Sequence, residues 1–219
     1  MGTPNQILIL FAHPALEKSR VNRHLIQAVQ GLEAVTVHDL YETYPNFHIN
    51  VKAEQDLLLA HDIVVFHHPF YWYSSPALLK EWQDLVLEYG FAYGQGGTAL
   101  RGKKCLTAIT TGGAKEAYCD KGYNHFTVRE LLVPFEQTAR LCGMEYLPPF
   151  VVQGTHRLQE HHQIDHHAEE YRATITALRD DTIHWERLQE SKHFDLNCIL
   201  AAPAATQSEL PQPEVPQHA

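Results

Sequence analysis

Basic residues are scarce in this sequence: its 17 Lys and Arg are outnumbered by 26 Asp and Glu, for a formal net charge of -9 at pH 7. A surface that neutralises nucleic-acid phosphates needs clustered Lys and Arg, so nucleic acid is not an expected partner, although one local phosphate site remains open. Cysteine is scarce too. Cys105, Cys119, Cys142 and Cys198 show no C-x-x-C or other close metal-ligand spacing. Two of them fall in expected core elements, which fits a reducing, cytoplasmic setting better than a disulfide framework. The apolar run Ile7–Ala12 is far too short to span a bilayer, and nothing before it has the basic stretch and cleavage site of a secretory leader.

Several chemical signatures are missing as well. No G-x-S-x-G elbow and no H-E-x-x-H occur, so hydrolase readings have nothing to stand on. There is no G-x-G-x-x-G and no Walker loop for a nucleotide. His161, His162, His166 and His167 have spacings that could meet a metal on a helix, but a solvated helix face is the preferred reading and no metal is expected.

What is present is a hydrophobic content of 44%, enough for a full core in one domain over residues 1–180. Short apolar runs alternate with amphipathic segments, the pattern of a parallel sheet covered by helices on both faces. Strands are expected over Gln6–Ala12, Val35–His38, Ile63–Phe66, Cys105–Thr110 and Tyr146–Val152, the last an edge strand or one with a broken start because Pro148 and Pro149 cannot donate to a ladder. Val21, Leu25, Ala28, Val29 and Leu32 form one stripe of a helix that Ser19 could cap and Gly31 could end. A second helix closes on Leu57–Leu59. A third follows Pro76 with Leu78, Leu79, Trp82, Leu85 and Val86 inward, and a fourth carries Val128, Leu131, Leu132, Phe135 and Leu141, kinked or delayed at Pro134. Residues 159–179 read as a polar helix, 181–201 as an extension with room for a short helix, and the Pro-rich 202–219 as a disordered tail.

In an open parallel sheet a ligand sits beyond the carboxyl ends of the strands, where the winding reverses. Three segments leave strands there. The first is His13-Pro14 followed by Ser19-Arg20-Val21-Asn22, a helix start whose free amides suit a phosphate; an ordinary N-cap is the alternative. The second is Pro69-Phe70-Tyr71-Trp72-Tyr73, aromatics in a connection that ought to be polar, and either a wall for a flat ring or a dimer contact. The third is Thr110-Thr111-Gly112-Gly113, where paired glycines permit close backbone approach, or simply a tight turn. Tyr118 and His125 follow in the same loop and could donate to negative charge on a reduced ring, although each alone is usually structural.

The segments A-H-P with S-R-V-N, H-P-F-Y-W-Y-S-S-P-A-L-L-K-E-W, G-F-A-Y-G and A-I-T-T-G-G together resemble the flavodoxin-like NAD(P)H:quinone oxidoreductases. Within them, L-Y-E-T-Y-P-N-F-H-I-N, G-Q-G-G-T-A-L-R-G-K and L-C-G-M-E-Y-L-P-P-F are most similar to the ancillary subunits of glutathione-regulated potassium-efflux systems. The resemblance covers Gln6 to Asp180. It implies a doubly wound sheet of order 2-1-3-4-5, with FMN as cofactor and NADH or NADPH as hydride donor. The acceptor is a quinone or another small electrophile. His13 and Ser19–Asn22 would hold the FMN phosphate, Pro69–Tyr73 would flank the ring, and Thr110–Gly113 would contact its polar edge. Tyr118 would stand near the flavin, with Trp72 and Tyr118 in the substrate pocket. The corresponding histidine of the mammalian relatives aligns with Asn124, one residue before His125. A homodimer is implied, with Tyr93 reaching the pocket across it. The alternative is a regulatory subunit on the cytoplasmic face of a membrane potassium-efflux transporter.

Overall fold

The computed structural model describes residues 3–158, 161–183 and 196. The expected extension therefore falls largely, and the expected tail wholly, outside the described residues. A parallel sheet is built from β1 (Ile7–Phe11), β2 (Val35–Asp39), β3 (Ile63–Pro69), β4 (Lys104–Thr110), β5 (Glu145–Tyr146) and β6 (Phe150–Val152). Its order is β2-β1-β3-β4-β5, with β6 also on β4, as the flavodoxin-like topology requires.

Around it run α1 (Arg20–Val29), α2 (Leu40–Thr43), α3 (Val51–Ala60), α4 (Ala77–Val86), α5 (Val128–Leu131), α6 (Val133–Leu141) and α7 (His161–Arg179). Alternate residues of the strands serve opposite faces. Leu8, Leu10, Val64 and Phe66 pack with Leu79, Trp82 and Phe135 on one side. Ile7, Ile9, Phe11 and Val65 pack with Leu25, Val29, Tyr171 and Ile175 on the other. All of β1 is buried, which explains its unbroken apolar run.

The fifth expected strand is two pieces. Glu145 and Tyr146 pair with Lys104 and Cys105, and Phe150–Val152 pair with Ala108–Thr110. Leu106 and Thr107 of β4 thus face three residues, Leu147 to Pro149: the two prolines sit in a bulge, where missing donors cost no ladder bond. β3 runs three residues beyond its expected end, through His67, His68 and Pro69, all buried. Pro134 splits the fourth expected helix into α5 and α6, with Leu132 between them at φ -88° and ψ 0°. Two expected inward residues face out: Leu85 is 39% and Leu141 60% exposed. Both lie near helix ends, where the apolar stripe has already passed the sheet.

One buried carboxylate braces the edge of the sheet. Glu54 of α3 accepts from Trp82 Nε1 at 2.8 Å, from His38 Nε2 at 2.9 Å and from the Tyr44 hydroxyl. Burial alone would favour its neutral form, but these hydrogen bonds outweigh it and hold the carboxyl below its usual range. No described helix is long and apolar enough to cross a membrane.

Candidate functional site

Two clefts meet at the carboxyl edge of the sheet, sharing Phe70 and Tyr71. The first, of about 390 Å³, lies over the start of α1 and is lined by His13, Ser19–Asn22, Pro69, Phe70, Tyr71, Thr110 and Gly112. It is also lined by Ala15, Lys18, Thr155 and His156. Ser19 is the N-cap, in extended conformation at φ -95°, and its Oγ accepts the Asn22 amide at 3.2 Å. The amides of Arg20 and Val21 in the first turn have no intrahelical acceptor and suit an anion, helped by the helix dipole.

His13 adds a directed donor. Burial lowers its pKa, against smaller opposing effects of Glu17 and the backbone, so the ring is neutral at pH 7. Its Nδ1 accepts the Ala15 amide at 3.1 Å, which leaves the ring proton on Nε2.

The second cleft, of about 420 Å³, is lined by Phe70, Tyr71, Trp72, Tyr73, Gly113 and Tyr118, with Ala117, Tyr123 and Asn124. Its aromatic wall is a tight turn: the Ser74 amide returns to the Tyr71 carbonyl at 3.0 Å, and Trp72 and Tyr73 hold φ of 51° and 63°. Bulky residues in the left-handed region cost about 1–3 kcal/mol each and tend to persist at ligand sites. Trp72 is 93% exposed, so burial of its own ring does not offset that cost.

At Gly112 and Gly113 side chains of the two clefts crowd the backbone. A Cβ at Gly112 would stand 2.7 Å from His156 Nε2, and one at Gly113 would stand 3.1 Å from the Tyr118 ring. The 154–156 segment is laced to this turn: the Gly154 amide donates to the Gly113 carbonyl at 2.8 Å and the Thr155 amide to the Thr111 carbonyl at 3.0 Å. Tyr118 keeps its phenol protonated, since burial raises its pKa further than its side-chain hydrogen bond with Thr111 lowers it.

Not every expected residue reaches a cleft. Thr111 is buried behind the wall, its hydroxyl donating to the Gly113 carbonyl at 2.7 Å. His125, at φ 60°, lines neither cleft, nor does Tyr93, whose ring stands edge-on to Tyr89 at 5.8 Å. Thr155 and His156 carry no sequence signal, because the proline-broken strand before them conceals a fourth loop at the same sheet edge. Asn124, which nothing in the sequence singles out beyond its alignment with the relatives' histidine, accepts from the Tyr73 hydroxyl at 3.0 Å. In α7, His166 and His167 both face Glu170, at 3.4 and 2.8 Å, and among the described residues no group of three His, Cys, Asp or Glu could hold a metal.

The donor set fits FMN. The first cleft offers helix amides, Ser19 and a neutral histidine to a phosphate; the second offers an aromatic wall to a flat ring; the glycine turn leaves room between.

Comparison with known proteins agrees with this geometry. A family model described as flavodoxin-like fold matches residues 5–175. The glutathione-regulated potassium-efflux system ancillary protein KefG of Pectobacterium carotovorum is 51% identical over 159 residues, 73% of this chain and 87% of that protein. General stress protein 14 of Treponema denticola, solved in complex with FMN, superposes with a TM-score of 0.75 at 40% identity, over 79% of this chain and 99% of that one. A structure named as the NADPH-quinone reductase of P. pentosaceus gives 0.70 at 36%, over 76% and 95%. Another, named as a thermophilic tryptophan halogenase from Streptomycin violaceusniger, gives 0.73 at 44%, over 75% and 95%. One fold thus carries several named activities, so function follows from the site and not from the fold.

Proposed function

The chain belongs to the flavodoxin-like fold family, and on that premise we propose that it is an FMN-dependent NAD(P)H:quinone oxidoreductase. The observation that carries the proposal is the junction of the two clefts: an anion-binding helix start and an aromatic wall share Phe70 and Tyr71. Relatives named for an FMN complex and for NADPH-quinone reduction support it.

When bound, FMN would supply two-electron hydride chemistry between a nicotinamide and a quinone or a similar small electrophile. The chain supplies binding and orientation. His13 and Ser19–Asn22 would hold the phosphate. Phe70–Tyr73 would present a face for the ring, and the Gly112–Gly113 backbone would contact its polar edge. Tyr118 offers a protonated phenol where negative charge would develop. Trp72 and Tyr118 border the substrate space, which donor and acceptor would occupy in turn, giving ping-pong kinetics with parallel double-reciprocal lines. His125 and Tyr93 would join it only by movement of the loop or from the second subunit of a homodimer.

Identity with the potassium-efflux ancillary protein favours a second reading, in which the chain docks on the cytoplasmic face of a transporter and its flavin serves regulation. One assay separates them. Purified alone, an enzyme should be yellow and oxidise NADPH or NADH with a quinone. Yellow protein inert towards both nucleotides would favour the regulatory reading, and colourless protein that refuses FMN would overturn both.

A further inference from the structure

A chain of hydrogen bonds runs from α7 through the core to the first cleft. The Tyr171 hydroxyl, fully enclosed, lies 3.0 Å from His67 Nδ1. His67 Nε2 lies 3.2 Å from Asn22 Oδ1, and Asn22 Nδ2 reaches both Ser19 Oγ and Thr110 Oγ1 at 3.0 Å.

Proton positions follow from which atoms can donate. An amide nitrogen only donates, so Asn22 Nδ2 gives its two hydrogens to the two hydroxyls and Oδ1 must accept from His67 Nε2. Burial, with smaller contributions from His68 and His13, lowers the His67 pKa to about 3, so the ring is neutral. Its Nδ1 is then an acceptor, and the Tyr171 phenol the donor. Ser19 Oγ receives both the main-chain and the side-chain N–H of Asn22, which uses its lone pairs and leaves its own O–H free to point into the cleft. For Thr110 the competing acceptor, Asn22 Oδ1, is farther away at 3.4 Å and already engaged by His67, so its O–H is also available to the cleft it lines.

We propose that His67 and Tyr171 are positioning residues: they fix the ring tautomer and the Asn22 amide orientation that make Ser19 and Thr110 hydroxyls donors toward the anionic group of the ligand. The inference rests on the FMN reading and deepens it, because a phosphate monoester is the acceptor such ordered donors suit. Without the Tyr171 hydroxyl the other tautomer becomes accessible. The Asn22 amide can then turn over, and both hydroxyls would donate inward to its oxygen instead of outward.

The test compares affinity for FMN and for riboflavin, which lacks the phosphate, by flavin fluorescence quenching on the full chain. Tyr171→Phe keeps the ring and removes one oxygen; it should weaken FMN about tenfold, the loss of roughly one hydrogen bond to a charged group, and leave riboflavin within about twofold. General loosening of the fold would weaken both alike and overturn the proposal, as would an unchanged preference for FMN. Should His67→Leu fail to fold, nitrogen-15 NMR of the wild-type imidazole gives an independent answer: the Nε2–H tautomer is expected, and an Nδ1–H ring would overturn the relay. Wild-type protein that ignores FMN and riboflavin alike would instead sink the cofactor reading, and this inference with it.

Discussion

The Tyr73 hydroxyl donates to Asn124 Oδ1 at 3.0 Å, joining the strained aromatic turn after β3 to the loop that follows β4. The two walls of the second cleft are thereby tied across its mouth. The phenol is half-exposed, so breaking the bond should do little to global stability. Tyr73→Phe should shift the melting temperature by less than about 3 °C while weakening FMN about three- to tenfold, the effect of one ordinary hydrogen bond on cleft order. Thermal melts beside flavin titrations check both halves.

The turn itself predicts a trade of stability against activity. Trp72 is almost wholly exposed yet holds a left-handed backbone, so its side chain contributes strain and little burial. Trp72→Gly should therefore raise stability by about 1 kcal/mol, less what glycine loses in chain entropy, and lower quinone turnover at least about tenfold if the indole walls the substrate. An unstable Trp72→Gly with full turnover would refute the role given to this ring.

Much of this architecture is legible in the sequence, and the exceptions have physical causes. The strand cores announce themselves because both faces of a parallel sheet are buried, giving runs such as Ile7–Phe11. His67 and His68 read as loop because two imidazoles signal solvent, whereas here burial holds both neutral inside β3. In α7 the stripe Ile164, Ala168, Tyr171, Ile175 and Leu178 is regular, but the dense polar residues between its members masked it. Of the site, the three loops after β1, β3 and β4 were visible because each follows a clear strand. Thr155 and His156 were not, since proline interrupts the strand before them.

Gly112 offers a probe of the first cleft, since its need for glycine is spatial: a Cβ there meets His156, a side chain that can move. Gly112→Ala alone should weaken FMN about tenfold by driving the imidazole into the first cleft. Combining it with His156→Ala should recover most of that loss, giving a coupling energy of about 1 kcal/mol in a double-mutant cycle. Strict additivity would mean that His156 is not what Gly112 makes room for.

Stability should fall early in mild acid. Burial lowers the His67 pKa to about 3 and the His68 pKa to about 4, against an ordinary value of 6.5. Protons then favour the unfolded chain, where both rings titrate normally, so the stabilisation is complete above pH 6.5 and is lost as the pH falls towards the folded-state values. Each ring contributes a slope of up to about 1.4 kcal/mol per pH unit across that window. Glu54 acts in the same direction further down: its lowered pKa makes its contribution present above the ordinary carboxylate range and lost below it. Melting temperatures between pH 8 and pH 5 should decline well before carboxylates titrate, and His68→Leu, which removes one ring without touching the cleft, should flatten the decline by about half. A melting temperature constant down to pH 5 would mean that the buried imidazoles are already charged, or are exposed, in the native protein.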